Sequence, residues 1–396
     1  MSYFEHVEKL PADPILELMW EFKKDTRAEK IDLSVGIYYD ENLKQVILPS
    51  IKKTEEKLLE QEVSKSYLPI DGDPIFNKQI KKIVFGEKLV AENDQRIFCA
   101  QAVGGTGALR VGGEFLSKTQ KNKIYLSSPT WDNHFKVFAA ASLETKLYPY
   151  YDFNTHQVDF EKLTQFFMGL EINSVVLLHA CCHNPTGADL TKEQWMILSD
   201  IIKQKELIPF FDMAYQGFGQ DLDLDAFAVR YFLEQGHEML IAYSLSKICG
   251  LYAERVGALL LVAKNEEIKN ACASQIKTII RANYSNPPKH GALVVAELFS
   301  DEELFLMWRK ELKQMQKRIA DIRNVFTNAL LEKCASKDFS YLFSKKGMFC
   351  FLNLTADQVF IMKEQFGIYM TKNGRINIAG INYSNIPYIV NAINTI

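Results

Sequence analysis

The stretch Ser244-Leu-Ser246-Lys247 sets a lysine beside two small hydroxyl residues, and a guanidinium follows at Arg255. A lysine amine condenses with carbonyls, while serine hydroxyls and an arginine can hold a phosphate. An aldehyde carrying a phosphate group would suit this stretch. Other segments would serve the same molecule. The N–H groups of Gly104-Gly105-Thr106-Gly107, at the start of a helical pattern, can cradle a phosphate with the help of the helix dipole. Trp131, in Pro129-Thr-Trp131-Asp-Asn-His134, offers an indole to stack on a flat ring. Asn184, in His183-Asn184-Pro-Thr-Gly187, can donate a hydrogen bond to a ring oxygen, and Tyr215 can share that task. Asp212 ends an apolar run, where an unpaired charge would be costly to bury. Facing a pyridine nitrogen, its carboxylate would keep the ring protonated and able to draw off electrons.

Each segment alone has an ordinary explanation: a solvated lysine, a glycine turn required by packing, a core tryptophan, an aspartate tied to backbone N–H groups. Their joint occurrence carries the argument. The cluster His179, Cys181, Cys182, His183 invites a metal reading, but no second ligand pair with zinc spacing exists elsewhere, so no metal is expected. A nicotinamide-binding protein would show a glycine fingerprint. Counted from Gly105, the sixth position here is Arg110, and no phosphate-loop G-x-x-x-x-G-K is present.

To bring these residues together, the chain must place each one just past a strand. Apolar strand candidates at 96–101, 123–127, 144–148, 174–179, 207–211, 239–243 and 258–263 are mostly separated by helical patterns. That alternation predicts an α/β fold with a mainly parallel seven-stranded sheet, whose strand ends gather ligands along one edge. A helix is expected over 14–24, capped by Asp13 with Pro14 first, and a second over 50–61. Residues 31–39 read as a strand that breaks at Gly36 into a loop. After Pro287-Pro288 the pattern changes to a long helix over 301–333 and short strands near 340–353 and 375–379. The expected division is an N-terminal arm (1–13), a smaller α+β domain from both chain ends (14–45 and 311–396), and a large domain (46–310).

Composition sets the class. The 396 residues, 47% apolar, can bury a sizeable core. A net charge of −3, with basic residues spread among acids, gives no basic stripe for nucleic acid. Seven scattered cysteines without C-x-x-C spacing fit cytoplasmic usage, and no apolar run reaches membrane-spanning length. A cytoplasmic protein is the expectation.

Taken in order, these segments resemble the class I pyridoxal-phosphate aminotransferases, that is, the aspartate aminotransferase family and its aromatic (tyrosine) branch. The resemblance spans nearly the whole chain. It rests on Leu33-Ser-Val-Gly36-Ile-Tyr, Tyr67-Leu-Pro-Ile-Asp-Gly72, Gly104-Gly-Thr-Gly-Ala-Leu-Arg110, Pro129-Thr-Trp131-Asp-Asn-His134 and Asn184-Pro-Thr-Gly187. Asp212-Met-Ala-Tyr215-Gln-Gly-Phe, the lysine segment with Glu254-Arg255-Val-Gly257, Arg281-Ala-Asn-Tyr-Ser-Asn-Pro-Pro288 and Gly374-Arg375-Ile-Asn-Ile-Ala-Gly380 complete it.

The resemblance implies the fold-type-I architecture, pyridoxal 5′-phosphate as cofactor, and a homodimer with shared active sites. It implies that Lys247 is the Schiff-base lysine and proton shuttle, Asp212 the pyridinium partner, and Tyr215 with Asn184 the ring-oxygen ligands. Trp131 would stack on the ring. Gly105, Thr106, Ser244, Ser246 and Arg255 would bind the phosphate, with Tyr67 reaching it from the other subunit. Arg375 would hold the substrate α-carboxylate, and Arg281 from the partner chain its distal carboxylate. Gly36 would lie on a loop that closes over substrate, and His134 and His179 below the ring. The implied chemistry is ping-pong transamination between an amino acid and a 2-oxo acid. Tyr38-Tyr39-Asp-Glu-Asn, Tyr67-Leu-Pro and Glu206-Leu-Ile-Pro-Phe-Phe lie nearer the aromatic branch. The expected substrates are therefore tyrosine and phenylalanine, with aspartate and 2-oxoglutarate, ahead of a strict aspartate enzyme. A non-catalytic or regulatory protein of the same fold would be expected to lack Lys247, Asp212 or Arg375. Arg281 and Arg375 together weigh against β-elimination or decarboxylation on the same cofactor.

Overall fold

The computed structural model of the protein describes residues 2–11, 13–61, 64–119, 122–335 and 337–396. Met1 and Ala12 of the expected arm lie outside the described residues. The strands in chain order are β1 (Ile31–Asp32), β2 (Ile97–Val103), β3 (Lys123–Ser128), β4 (Glu144–Pro149), β5 (Tyr151–Asp152), β6 (Gln157–Val158), β7 (Val175–His179), β8 (Ile208–Met213), β9 (Met239–Ser244), β10 (Val256–Val262), β11 (Phe349–Phe351), β12 (Ile368–Tyr369) and β13 (Arg375–Asn377).

Seven of them form one sheet in the order β2-β10-β9-β8-β7-β3-β4. All neighbours run parallel except β10, which is antiparallel to both β2 and β9. β7, β9 and β10 are buried along their whole length, as strands covered by helices on both faces must be. The helix Gly104–Lys118 packs on this sheet so closely that a Cβ on Gly112 would stand 3.2 Å from Leu259 Cδ1. Parallel pairing in register brings His179 of β7 beside Asp212 of β8, and Asp212 beside Ala242 of β9. The carboxyl ends of successive strands therefore deliver their following residues to one place.

The two chain ends meet. β1 pairs with β12 in parallel, and Asn377 N–H donates to Leu33 O at 2.7 Å. The helix Glu302–Lys333 spans both regions. Near its start Trp308 Nε1 donates to Ile248 O at 2.9 Å, and further on Arg318 Nη2 donates to Ile381 O at 3.0 Å. The side chain of Asp301 caps it by accepting from Leu304 N–H at 3.1 Å, which satisfies one of the otherwise unpaired donors at a helix start.

Some boundaries differ from the sequence expectation. The strand read over 31–39 is regular only at Ile31–Asp32, because beyond it the carbonyls of Ser34, Val35 and Ile37 are taken by the side chains of Arg375 and Asn377 rather than by a neighbouring strand. Residues 340–344 form a 3-10 turn before β11, and β13 gives way to another at Ile378–Gly380. Among the described residues no helix is long and apolar enough to cross a membrane.

Candidate active site

Lys247 lies just past β9, its Nζ over the Tyr215 ring at 5.1 Å from the centroid. Burial pushes its ammonium below the ordinary lysine value; Asp212 opposes that shift and Arg255 adds to it. A lysine so placed carries a larger share of free amine, the nucleophilic form, than an exposed one.

Asp212 sits at the end of β8, and burial by itself would push its carboxyl up. A 3.1 Å hydrogen bond from His134 Nε2, with Lys247 nearby, outweighs burial and holds it below the usual carboxylate value. The ring of His134 is itself fixed by Thr130 Oγ1 at 2.8 Å, and the same hydroxyl reaches His179 Nε2 at 3.3 Å. Burial first, then the charge of His134, push His179 down to about 3, so it stays neutral. The result is a fixed negative charge at a strand end with its histidine partner held from behind.

At the far end, the helix Gly104–Lys118 begins with no side-chain cap, leaving the first-turn N–H groups of Gly105 and Thr106 available. Gly104 N–H closes on Arg255 O at 2.9 Å, and a Cβ on Gly105 would stand 2.9 Å from Ser244 Cβ, so only glycine permits this approach. Ser244 and Ser246 hydroxyls lie 3.3 Å apart, and Arg255 Nη1 donates to Ser246 Oγ at 3.4 Å. Uncapped N–H groups, two hydroxyls and a guanidinium make a site for a phosphate-sized anion.

These groups line one cleft of about 250 Å³. It contains Lys247, Asp212, Tyr215, Asn184, Trp131, Gly105, Thr106, Ser244, Ser246 and Arg255 from the strand ends, and Gly36 and Arg375 from the region where the chain ends meet. Two of its buried atoms, Asn184 Oδ1 and Arg375 Nε, have no hydrogen-bond partner among the described residues. Buried polar atoms are rarely left so, and both fit a polar molecule seated between them. Arg375 is 5% exposed, packs 4.5 Å from the Phe349 ring and donates from Nη2 to Ser34 O at 2.5 Å.

Two expected residues lie elsewhere in the chain. Tyr67 is 91% exposed, and Arg281, on the helix Glu266–Asn283, is exposed and donates to Ser285 Oγ. Conversely, Ile15, Leu109, Ala214 and Phe349 line the cleft although nothing in the sequence singled them out. Phe349 reads as a core residue of a short strand. Its ring is where a Cβ on Gly36 would strike, 2.8 Å from Cζ.

The histidines of the 179–183 segment do not join its cysteines. His183 hydrogen-bonds Ser127 and Thr186 hydroxyls, both at 2.9 Å, while the Cys181 and Cys182 thiols lie within 4.8 Å of each other and of the Asp225 carboxylate. That carboxylate already accepts from Gly217, Gly219 and Gln220 N–H groups at 2.8–2.9 Å, an arrangement that ties down a turn.

The family model described as aminotransferase class I and II matches residues 28–393. The chain is similar to the aspartate aminotransferase of Salmonella typhi, with 46% identity over 98% of this chain and 99% of that one. It is also similar to the aromatic-amino-acid aminotransferase of Escherichia coli K12, with 40% identity over 98% of each. Among solved structures, it is similar to an aromatic-amino-acid aminotransferase from Burkholderia pseudomallei covalently bound to pyridoxal phosphate. The TM-score is 0.96, with 40% identity over 100% of this chain and 99% of that one.

Proposed function

The chain belongs to the class I and II aminotransferase family, and from that premise we propose that it moves the amino group of tyrosine, phenylalanine or aspartate to 2-oxoglutarate in a ping-pong reaction. Its fold is fold-type I and its cofactor pyridoxal 5′-phosphate. The observation that carries the reading is the single cleft holding Lys247, Asp212 and an unpaired Arg375 guanidinium nitrogen between a phosphate cradle and a tryptophan.

Bound there, the cofactor supplies an aldehyde to take up the amino group and a protonated ring that withdraws electrons from the substrate Cα. The chain's residues do the rest. Lys247 Nζ would hold the cofactor and, as a free amine, would move the proton away from Cα and back. Asp212, fixed by His134, keeps the ring nitrogen charged. Asn184 and Tyr215 bind the ring oxygen, and Trp131 covers the ring face. Gly105, Thr106, Ser244, Ser246 and Arg255 hold the phosphate. Arg375 pairs with the α-carboxylate through two parallel N–H bonds, a geometry lysine cannot supply. Gly36 lies on the segment that closes the cleft and keeps water out.

Tyr67 and Arg281 complete the cleft of a second copy, Tyr67 at the phosphate and Arg281 at the distal carboxylate. Their exposure in one chain supports this reading, and so does their separation from that chain's own cleft. The protein acts as a cytoplasmic homodimer. Its division is an arm (1–13), a small domain (14–45 and 311–396) and a large one (46–310). Lys247→Ala and Arg281→Ala variants, each impaired toward aspartate, regain activity when dissociated together and reassembled. No recovery on mixing would contradict shared sites. Steady-state kcat/KM for tyrosine, phenylalanine and aspartate tests the substrate range, and turnover of aspartate alone would reject the aromatic half.

A further inference from the structure

Among the described residues, the hydrogen bonds that reach residues 34–38 from distant parts of the chain come from two places. Arg375 Nη2 donates to Ser34 O at 2.5 Å, and Asn377 Nδ2 donates to Val35 O at 2.6 Å and Ile37 O at 2.8 Å. Both side chains come from β13. The last bond comes from elsewhere: Tyr38 N–H donates to the Tyr252 hydroxyl at 2.8 Å. Tyr252 belongs to the connection between β9 and β10, and its own carbonyl accepts from Arg255 Nη1 at 3.0 Å. Arg255 holds a left-handed backbone, φ 56°, and its carbonyl accepts from Gly104 N–H at the start of the phosphate-facing helix. Tyr252 thus touches the guanidinium of the phosphate end with its carbonyl and the substrate-end segment with its hydroxyl.

We propose that Tyr252 is a positioning residue that links the two ends of the cleft, so that a filled phosphate cradle and a carboxylate seated on Arg375 favour one another. This rests on the reading of Arg255 as a phosphate ligand and Arg375 as a carboxylate ligand. A phosphate engages Arg255 and so fixes the turn from which Tyr252 projects. The phenol oxygen then fixes the Tyr38 N–H, and with it the segment whose Ser34 carbonyl orients Arg375. A carboxylate on Arg375 acts through the same bonds in reverse, because a coupling between two binding equilibria is reciprocal. Without the hydroxyl, segment 34–38 keeps its three bonds to β13 and loses the one bond that, among the described residues, joins it to the phosphate side.

The test is a titration of apoprotein with pyridoxal phosphate, with and without saturating succinate, a dicarboxylate with no amino or keto group to react. In the wild type, succinate lowers the half-saturating cofactor concentration by about 3- to 10-fold, the size of one net hydrogen bond. In Tyr252→Phe that ratio falls to near one, and KM for aspartate rises by a similar factor while kcat stays within about twofold. A purely structural role would lower both binding constants and leave their ratio unchanged. Succinate that binds, with a ratio the same in Tyr252→Phe as in the wild type, overturns the link alone. Succinate that fails to bind the wild-type holoenzyme overturns the link together with the carboxylate reading of Arg375. If Tyr252→Phe folds poorly, the same titration on Tyr252→Trp, which also lacks the hydroxyl, gives the same two readings.

Discussion

The two ends of the cleft are built in different ways. At the cofactor end, Asp212 lies on β8, Ser244 ends β9 with Lys247 just past it, and Gly104 follows β2, all strands of one sheet paired in register. At the substrate end, Gly36 and Arg375 come from short β13 and an irregular segment. Ile15 comes from the helix Pro14–Lys24, which has no buried residue. Chemistry that every substrate shares needs a frame that does not move, because a small displacement of reacting groups is costly in rate. Discrimination among substrates needs walls that can yield, and the helix Pro14–Lys24, with no buried residue, is such a wall.

That contrast can be broken by substitution, and the largest effects belong to the rigid end. Lys247→Ala removes the proposed cofactor anchor and proton carrier, and turnover is expected to fall by about 10⁴-fold or more, measured with saturating amino acid. Asp212→Asn leaves the shape and removes the charge, so kcat falls by about 10²- to 10³-fold, as when one preorganised electrostatic group is lost. Arg375→Lys keeps the charge but loses the paired geometry. It lowers kcat/KM by about 10- to 100-fold, the worth of one charged hydrogen bond, and most of the loss appears in KM. Were Arg375→Lys to cost more kcat than Asp212→Asn, the assignment of rigid chemistry to one end and adaptable binding to the other would be reversed. The smallest effect is a pH shift. Burial lowers the Lys247 pKa, so its free amine appears at lower pH than for an exposed lysine. The rate at which apoprotein takes up pyridoxal phosphate therefore rises with pH and levels off below the value of about 10.4 for a free lysine. A midpoint at or above that value would contradict the buried environment.

The same contrast explains what could be read in the sequence. Most strands of the main sheet announce themselves as apolar runs, and most cofactor-end residues sit at or just past a strand's carboxyl end, so order along the chain becomes proximity in space. Phe349 and Ile15 were not legible, since a phenylalanine in a short buried strand and an isoleucine on an amphipathic helix look like ordinary packing until the chain ends are brought together. The irregular course of 33–38 was hidden for a related reason. Its carbonyl partners are side chains more than 300 residues away, which no local periodicity reports. The roles proposed for Tyr67 and Arg281 need a second chain; in one chain both residues are exposed.

The central claim is that the amine of Lys247 holds the cofactor. Reducing the holoenzyme with borohydride makes that linkage permanent, and peptide mass mapping then reads its position. The account predicts a single phosphopyridoxyl adduct on Lys247, blocked when amino acid has first converted the cofactor. An adduct on any other lysine, with Lys247 recovered unmodified, would contradict it.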